Sequence, residues 1–376
     1  MAADPAAELE SLAAAGLRRV LRPLQSPAGP VVTRDGRELH NFASNDYLGL
    51  ACHQALAEAF IEGVKRYGAG AAAARLVSGT LPPHAALEED LAAAKGTGAA
   101  LVFSSGFATA IGCLPAIVGA GDTVVLDKLC HASLIDAAKL SGATLRVFPH
   151  NDTAKLRKLL GTLRAKDASG RILVVTESVF SMDGDLCPLL ELLDAVEEHD
   201  ALLWLDEAHA FGVLGDRGMG LAEALGCQHR VAFQMGTFSK AAGLSGGYVA
   251  ASRVWIDLLV NRARAFIYST APPPALAHAT RESLRLIQSE DGSQLRERLK
   301  ENVRLLSADA SSAILPVVLG TNEAALEGSR RLEAEGFMVP AIRYPTVPRG
   351  SARLRVSVSA AHESSSIEKL RSLLPV

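Results

Sequence analysis

From residue 99 onward, short apolar runs alternate with helical stretches, and this alternation limits the chain to very few folds. Ala99 to Phe103 is strand-like and Phe107 to Val118 helical; Thr123 to Leu126 is strand-like and Ala132 to Leu140 helical. Thr144 to Phe148, Ile172 to Thr176, Leu202 to Leu205 and Val231 to Met235 continue the series. Strands that are apolar at consecutive positions need cover on both faces, and the intervening helices supply it. The pattern therefore predicts an α/β fold with a largely parallel sheet. Gly246 to Ala250 reads as one more strand.

The flanks read differently. Leu9, Leu12, Leu17 and Leu21 recur roughly once per turn and predict an amphipathic helix over 6–22. Asp35-Gly36 between Val31-Val32-Thr33 and Glu38-Leu39-His40 signals a hairpin. Ala271-Pro272-Pro273-Pro274 punctuates the chain before a long helical stretch over about 275–306. The remainder, with strand-like Ile314 to Leu319, helical Glu323 to Glu335 and strand-like Arg353 to Val358, predicts a small α+β domain. The expected partition is an N-terminal helix and hairpin over 1–42, a large domain over 43–270 and a small domain over 271–376.

Composition removes several function classes. The net charge of −3 over 376 residues carries no electrostatic footprint for nucleic acid. Five scattered cysteines without a Cys-x-x-Cys pair predict reduced thiols in a cytoplasmic protein and no metal site. The start, Met1-Ala2-Ala3-Asp4-Pro5, lacks the cationic and apolar regions of a signal peptide, and no run of ~20 apolar residues predicts a membrane span.

Chemistry concentrates in a few motifs. Leu202-Leu203-Trp204-Leu205-Asp206-Glu207-Ala208-His209 is an apolar run ending in an acid, with an imidazole three residues on. Ligands of open α/β sheets bind beyond the carboxyl ends of strands, where this acid falls. Downstream, Gly236-Thr237-Phe238-Ser239-Lys240 presents an amine just before the glycine-rich Gly243 to Gly247. A lysine to carry the cofactor, a carboxylate to hold a ring nitrogen protonated and a histidine beside them are what a pyridoxal phosphate site requires. Taken alone, Asp206 would be read as a helix N-cap.

Ser104-Ser105-Gly106-Phe107 follows a strand and opens a helix, whose free amides can take a phosphate without a cationic side chain. Thr237 and Ser239 can add hydroxyls to it. Leu129-Cys130-His131-Ala132-Ser133 places an aromatic ring after the strand Thr123 to Leu126, suited to stacking on a flat cofactor. Gly68-Ala69-Gly70-Ala71-Ala72-Ala73 matches a dinucleotide fingerprint only formally, since the segment before it, His53 to Tyr67, reads as a helix. Arg343, set among prolines in Tyr344-Pro345-Thr346-Val347-Pro348, suggests a positioned fork for a carboxylate.

Together these residues resemble the α-oxoamine synthases, pyridoxal phosphate enzymes of the fold-type I aminotransferase group. The resemblance runs from Asn41 to His362. It is carried by Asn45-Asp46-Tyr47-Leu48-Gly49-Leu50, by Asp127-Lys128-Leu129-Cys130-His131-Ala132-Ser133, by Thr176-Glu177-Ser178-Val179-Phe180-Ser181-Met182-Asp183-Gly184-Asp185 and by Ile267-Tyr268-Ser269-Thr270. It implies that Lys240 carries the cofactor, Asp206 meets its ring nitrogen and His209 its ring oxygen. His131 would stack over the ring, with Ser181 close by. Gly106, Phe107 and Thr237 would hold the phosphate, Ser269 and Thr270 would reach in from a second subunit, and Asn45, Arg343 and Thr346 would contact substrate. An obligate homodimer follows from the same resemblance.

The C-terminal Ile342-Arg343-Tyr344-Pro345-Thr346-Val347-Pro348 and Ser359-Ala360-Ala361-His362-Glu363 place the chain nearest the members that condense L-alanine with a pimeloyl thioester, on CoA or acyl-carrier protein, in biotin synthesis. The alternatives are a sister enzyme using glycine, as 2-amino-3-oxobutyrate CoA ligase or 5-aminolevulinate synthase does, and a non-catalytic pyridoxal phosphate-binding regulator. One departure stands out. Where the family often shows Gly-Ser-Gly-Gly-Ser-Arg, this chain has Gly70, four alanines and Arg75, which removes freedom at positive φ.

Overall fold

The computed structural model describes residues 4–375. The chain divides into two compact units, one of Met1–Gly49, Met182–Gly184 and Arg298–Val376, the other of Leu50–Ser181 and Asp185–Glu297.

The second unit is built on seven strands: β1 (Ala99–Phe103), β2 (Thr123–Asp127), β3 (Thr144–Phe148), β4 (Ile172–Glu177), β5 (Leu202–Asp206), β6 (Phe233–Thr237) and β7 (Gly247–Ala251). Their order in the sheet is β1-β7-β6-β5-β4-β2-β3, and every neighbouring pair is parallel except those made by β7. Side chains alternate between faces. Val124, Leu126, Leu173, Val175, Trp204 and Phe233 pack into one core, while Val125, Val174, Leu203 and Leu205 pack into another. Both faces are dry, which is why these strands read as unbroken apolar runs.

Parallel pairing brings four polar strand ends to one edge of the sheet. Asp127, Glu177, Asp206 and Thr237 are the last residues of β2, β4, β5 and β6. Because β7 is antiparallel, its first residue, Gly247, lies at the same edge, opposite both Phe103 and Thr237. Gly247 has no room for a side chain: a Cβ there would fall 2.6 Å from the Gly106 nitrogen and 2.6 Å from Thr109 Oγ1. The start of the Gly106–Ile117 helix is thereby seated directly on β7.

Two expected helices are corrected. The N-terminal one spans Pro5–Ala14, not 6–22. It stops because Gly16 turns to φ 64, with Gly16 N–H donating to Ala13 O and Leu17 N–H to Leu12 O, a Schellman ending. Leu17 and Leu21 therefore lie beyond the helix. The stretch over 275–306 is two helices, Pro274–Ile287 and Glu290–Leu306. The break at Gln288-Ser289 lets Ser289 O accept from Ser293 N–H at the start of the second.

In the first unit the expected hairpin forms between Val31–Arg34 and Arg37–Asn41, with Asp35 and Gly36 both at positive φ. Phe337–Met338 adds to it in parallel, and Ile314–Gly320, Ala352–Ser357 and Ala341–Ile342 form a second small sheet. Among the described residues no helix is long and apolar enough to cross a membrane.

Candidate active site

A cavity of about 210 Å³ opens at the polar strand edge, lined among others by Gly106, His131, Glu177, Asp206, His209 and Lys240. Each is the last residue of a strand or comes from a connection following one, so the sheet sets their spacing. At its centre Lys240 Nζ lies 2.9 Å from His209 Nε2. Lys240 hangs on the Ser239-to-Gly243 turn, which closes through the Gly243 N–H to Lys240 O bond and ends in the sheet as β7.

Asp206 is 5 % exposed. Its Oδ1 accepts from the Ala208 N–H at 2.9 Å, so a capping-type bond and an active-site position coexist in one residue. Burial raises its pKa, and the nearby Lys240 cation and the Ala208 amide pull the other way. His131 caps the Ala132–Leu140 helix, its Nδ1 accepting from Ser133 N–H at 3.2 Å, and its ring opens into the cavity. Enclosure lowers its pKa; the Asp206 carboxylate opposes that, and the Lys240 cation adds to it.

At the other end of the cavity, Gly106 and Phe107 begin a helix whose N-cap, Ser105, accepts from Ala108 N–H at 3.0 Å. The first amides of a helix have no intrahelical acceptor and point outward with the positive end of its dipole. Thr237 Oγ1 donates to Gly246 O at 2.7 Å and lies 2.8 Å from Ser239 Oγ, which places two hydroxyls beside those amides. An anion cradle, a carboxylate at a strand end, an open imidazole face and a lysine amine fit a phosphorylated pyridine aldehyde in charge and in donor set.

Glu177 also lines the cavity, outside the motifs that mark its other polar residues. Glu177, the last residue of β4, pairs in register with Asp206 and is 3 % exposed. Its Oε1 accepts from His131 N–H at 2.5 Å, and the Ser181 N–H also donates to its carboxylate. Burial first, then repulsion from Asp206, push its pKa up to about 8. An apolar run ending in an acid was the signal, the same as for Asp206.

The remaining expected residues are placed elsewhere. Ser181 is buried, and its N–H donates to the cavity residue Glu177. Ser269 and Thr270 are exposed, with Thr270 bridged to Ala74. In the first unit, Asn45 Oδ1 accepts from the buried Arg355 at 3.0 Å and from Tyr47 OH at 3.1 Å, a pairing the sequence motifs did not single out. Arg343 donates to Gly16 O and lines a cavity of about 200 Å³ with Arg19, Tyr344 and Thr346. Arg19 Nη2 is 3.4 Å from Thr346 Oγ1. Asn45 and Arg343 thus bind different partners.

Comparison with known proteins agrees with this chemistry. Residues 37–374 match the family model described as aminotransferase class I and II. The chain is 46% identical over 374 residues to an 8-amino-7-oxononanoate synthase of Geobacter sulfurreducens, covering 97% of this chain and 95% of that one. Among solved structures, a serine palmitoyltransferase from S. paucimobilis with bound PLP superposes with a TM-score of 0.92 at 29% identity, covering 98% of this chain and 95% of the other. An 8-amino-7-oxononanoate synthase from Francisella tularensis superposes with a TM-score of 0.75 at 26% identity over 89% of this chain and 96% of its own. The chain belongs to the aminotransferase class I and II family, and its cofactor is pyridoxal 5′-phosphate.

Proposed function

We propose that this chain condenses L-alanine with a pimeloyl thioester, giving 8-amino-7-oxononanoate, carbon dioxide and the free carrier thiol in biotin biosynthesis. The observation that carries this reading is the 2.9 Å approach of Lys240 Nζ to His209 Nε2 in the Asp206 cavity, within a chain so similar to a synthase of that product.

The bound cofactor supplies an electron sink for charge that develops at the α-carbon of the amino acid. The residues do the rest. Lys240 anchors the cofactor and moves the α-proton of alanine through its Nζ, oriented by His209 Nε2. Asp206 would hold a proton on the ring nitrogen, and Gly106, Phe107 and Thr237 would hold the phosphate. His131 would stack on the ring. Glu177, kept neutral around pH 7, adds no second negative charge beside Asp206. Ser181 stays near the ring, and Asn45, Arg343 and Thr346 are the proposed substrate contacts.

The enzyme is read as a cytoplasmic homodimer. The exposed Leu76, Val77 and Tyr268 flank the Ala74–Thr270 bridge, an apolar surface suited to a second copy that would carry Ser269 and Thr270 to it.

The test is incubation with alanine or glycine and a panel of CoA and acyl-carrier thioesters, with products identified by mass. Alanine and pimeloyl thioester should give the oxononanoate with stoichiometric carbon dioxide. Preference for glycine would move the chain to a sister activity, and cofactor binding with no carbon dioxide from any pair would make it a non-catalytic binder. Lys240→Ala should lose turnover by about 10²–10⁴-fold or more, as for removal of a proton-transfer group.

A further inference from the structure

Between Asp206 and His209 lies Glu207, and it is fully buried. Its carboxylate accepts from Lys95 Nζ, itself 0 % exposed at the end of the Pro82–Lys95 helix, and from the Ala222 N–H at 3.0 Å. Lys95 Nζ also donates to Met219 O at 2.5 Å. The seat is tight. Gly220, at φ 107, passes so close that a Cβ would come within 2.4 Å of Glu207 Oε1.

The backbone of Glu207 is pinned as firmly. Its N–H donates to Met235 O at 2.8 Å, and its carbonyl accepts from Ala210 N–H at 2.9 Å and Phe211 N–H at 2.8 Å. These bonds define the turn that carries both Asp206 and His209. Neither Lys95 nor Glu207 lines the cavity. An apolar pair of similar volume would serve packing as well as a buried ion pair does, whereas removing one partner strands a charge. Stability alone does not call for an ion pair here, and Glu207 adjoins Asp206 in the chain.

We propose that Lys95 is a positioning residue of the cofactor site: by neutralising Glu207 in place, it fixes the Asp206–His209 turn and keeps a second negative charge from adding to that of Asp206. The proposal rests on the reading of Asp206 and His209 as the residues that hold the cofactor. The Glu207 charge reaches Asp206 and Tyr248 in the surrounding electrostatics, raising the pKa of each after burial has done so. The charged or titratable groups facing Lys240 in the cavity are Asp206, Glu177, His131 and His209.

The experiment is a pH titration of the visible absorbance of the bound cofactor in the holoenzyme, with cofactor Kd measured alongside. Lys95→Met leaves an extra negative charge and should raise the midpoint. Glu207→Gln leaves an extra positive charge and should lower it. The Lys95→Met/Glu207→Gln double variant should return near the starting value. A unit charge ~10 Å away through an effective dielectric of ~20 gives shifts of about one pH unit. A purely structural role would change the melting temperature without opposite-signed shifts, so singles that leave the midpoint in place, or move it the same way, overturn the proposal. If Lys95→Met does not fold, Glu207→Gln must still lower the midpoint and the double variant must still restore it. Asp206→Asn separates the two levels. Normal cofactor affinity and spectrum in that variant would remove the underlying reading, whereas a defect there with unmoved Lys95 and Glu207 variants would remove this inference alone.

Discussion

Glu177 Oε1 accepts a hydrogen bond from the backbone N–H of His131 at 2.5 Å, tying the end of β4 to a residue whose ring opens into the cavity. Burial first, and then the neighbouring Asp206, push the carboxyl that makes this bond up to about 8 from an ordinary 4.5. Over that interval the folded protein keeps a proton that the unfolded chain has lost. Folding is then penalised progressively as pH rises from 4.5 to 8, and the penalty is complete above 8. Cofactor-free protein should therefore melt at a lower temperature at pH 8 than at pH 6, and Glu177→Gln should flatten that slope. Parallel melting curves for the two proteins would show that Glu177 is ionised throughout.

How much of this could be read without coordinates differs by residue. Asp206, His209 and Lys240 were legible because each belongs to a short motif whose chemistry is local: an apolar run that ends in an acid, or an amine before a glycine-rich turn. Glu177 ends an apolar run as Asp206 does, but no imidazole or amine motif follows it to mark the acid, and its place beside Asp206 emerges only from strand register. Lys95 and Glu207 lie 112 residues apart, and a lysine destined for full burial looks like any other near a helix end. Leucine spacing predicts a longer N-terminal helix than the one that forms, because the periodicity runs on past the stop at Gly16. Arg343 stands out through its prolines, whereas the bond between Arg355 and Asn45 joins residues 310 positions apart and leaves no local signal.

His150 clamps two loops of the site. It lies 2.9 Å from Asp127 and 2.8 Å from Asp185, and Asp127 in turn accepts from Leu129 N–H at 2.8 Å in the turn leading to His131. Burial opposes its charge, but hydrogen bonds to Asp127 and Asp185 outweigh that and raise its pKa to about 10. A raised histidine pKa contributes stability that is full below the unfolded value of ~6.5 and is lost as pH rises through the folded one. His150→Asn should cost about 1–3 kcal/mol at pH 6, the scale of a buried carboxylate losing a charged partner. The gap to the parent protein should narrow by pH 9.5 in denaturant titrations. A constant gap at both pH values would mean that the imidazole is neutral in the folded state.

Gly247 tests the phosphate cradle without removing a polar side chain. A methyl group there meets the Gly106 nitrogen at 2.6 Å and must push the helix start away from β7. If those amides hold the phosphate, Gly247→Ala should weaken cofactor binding by about tenfold or more, since displacing one charge-assisted hydrogen bond is worth ~1.5–3 kcal/mol. Equilibrium dialysis or fluorescence titration of the apo-protein with pyridoxal phosphate gives the comparison. Pyridoxal without its phosphate should bind both proteins alike, and an equal loss for the two ligands would place the damage elsewhere than the cradle.

The alanine-rich loop departs from the family's glycine pattern at one position that matters for the backbone. Ala72 holds φ 58, while Ala71, Ala73 and Ala74 do not take positive φ. The left-handed region costs an alanine about 1–2 kcal/mol relative to glycine. Introducing glycine there also loosens the unfolded chain, at a cost of about 0.4–1 kcal/mol. The balance favours Ala72→Gly by about half a kcal/mol, visible as a small rise in the denaturant midpoint with no change in slope. Ala73→Gly relieves no such conformation and should lower the midpoint instead. Opposite signs at neighbouring alanines would locate the strain at residue 72, and a loss of stability in both variants would show that the loop is relaxed as it stands.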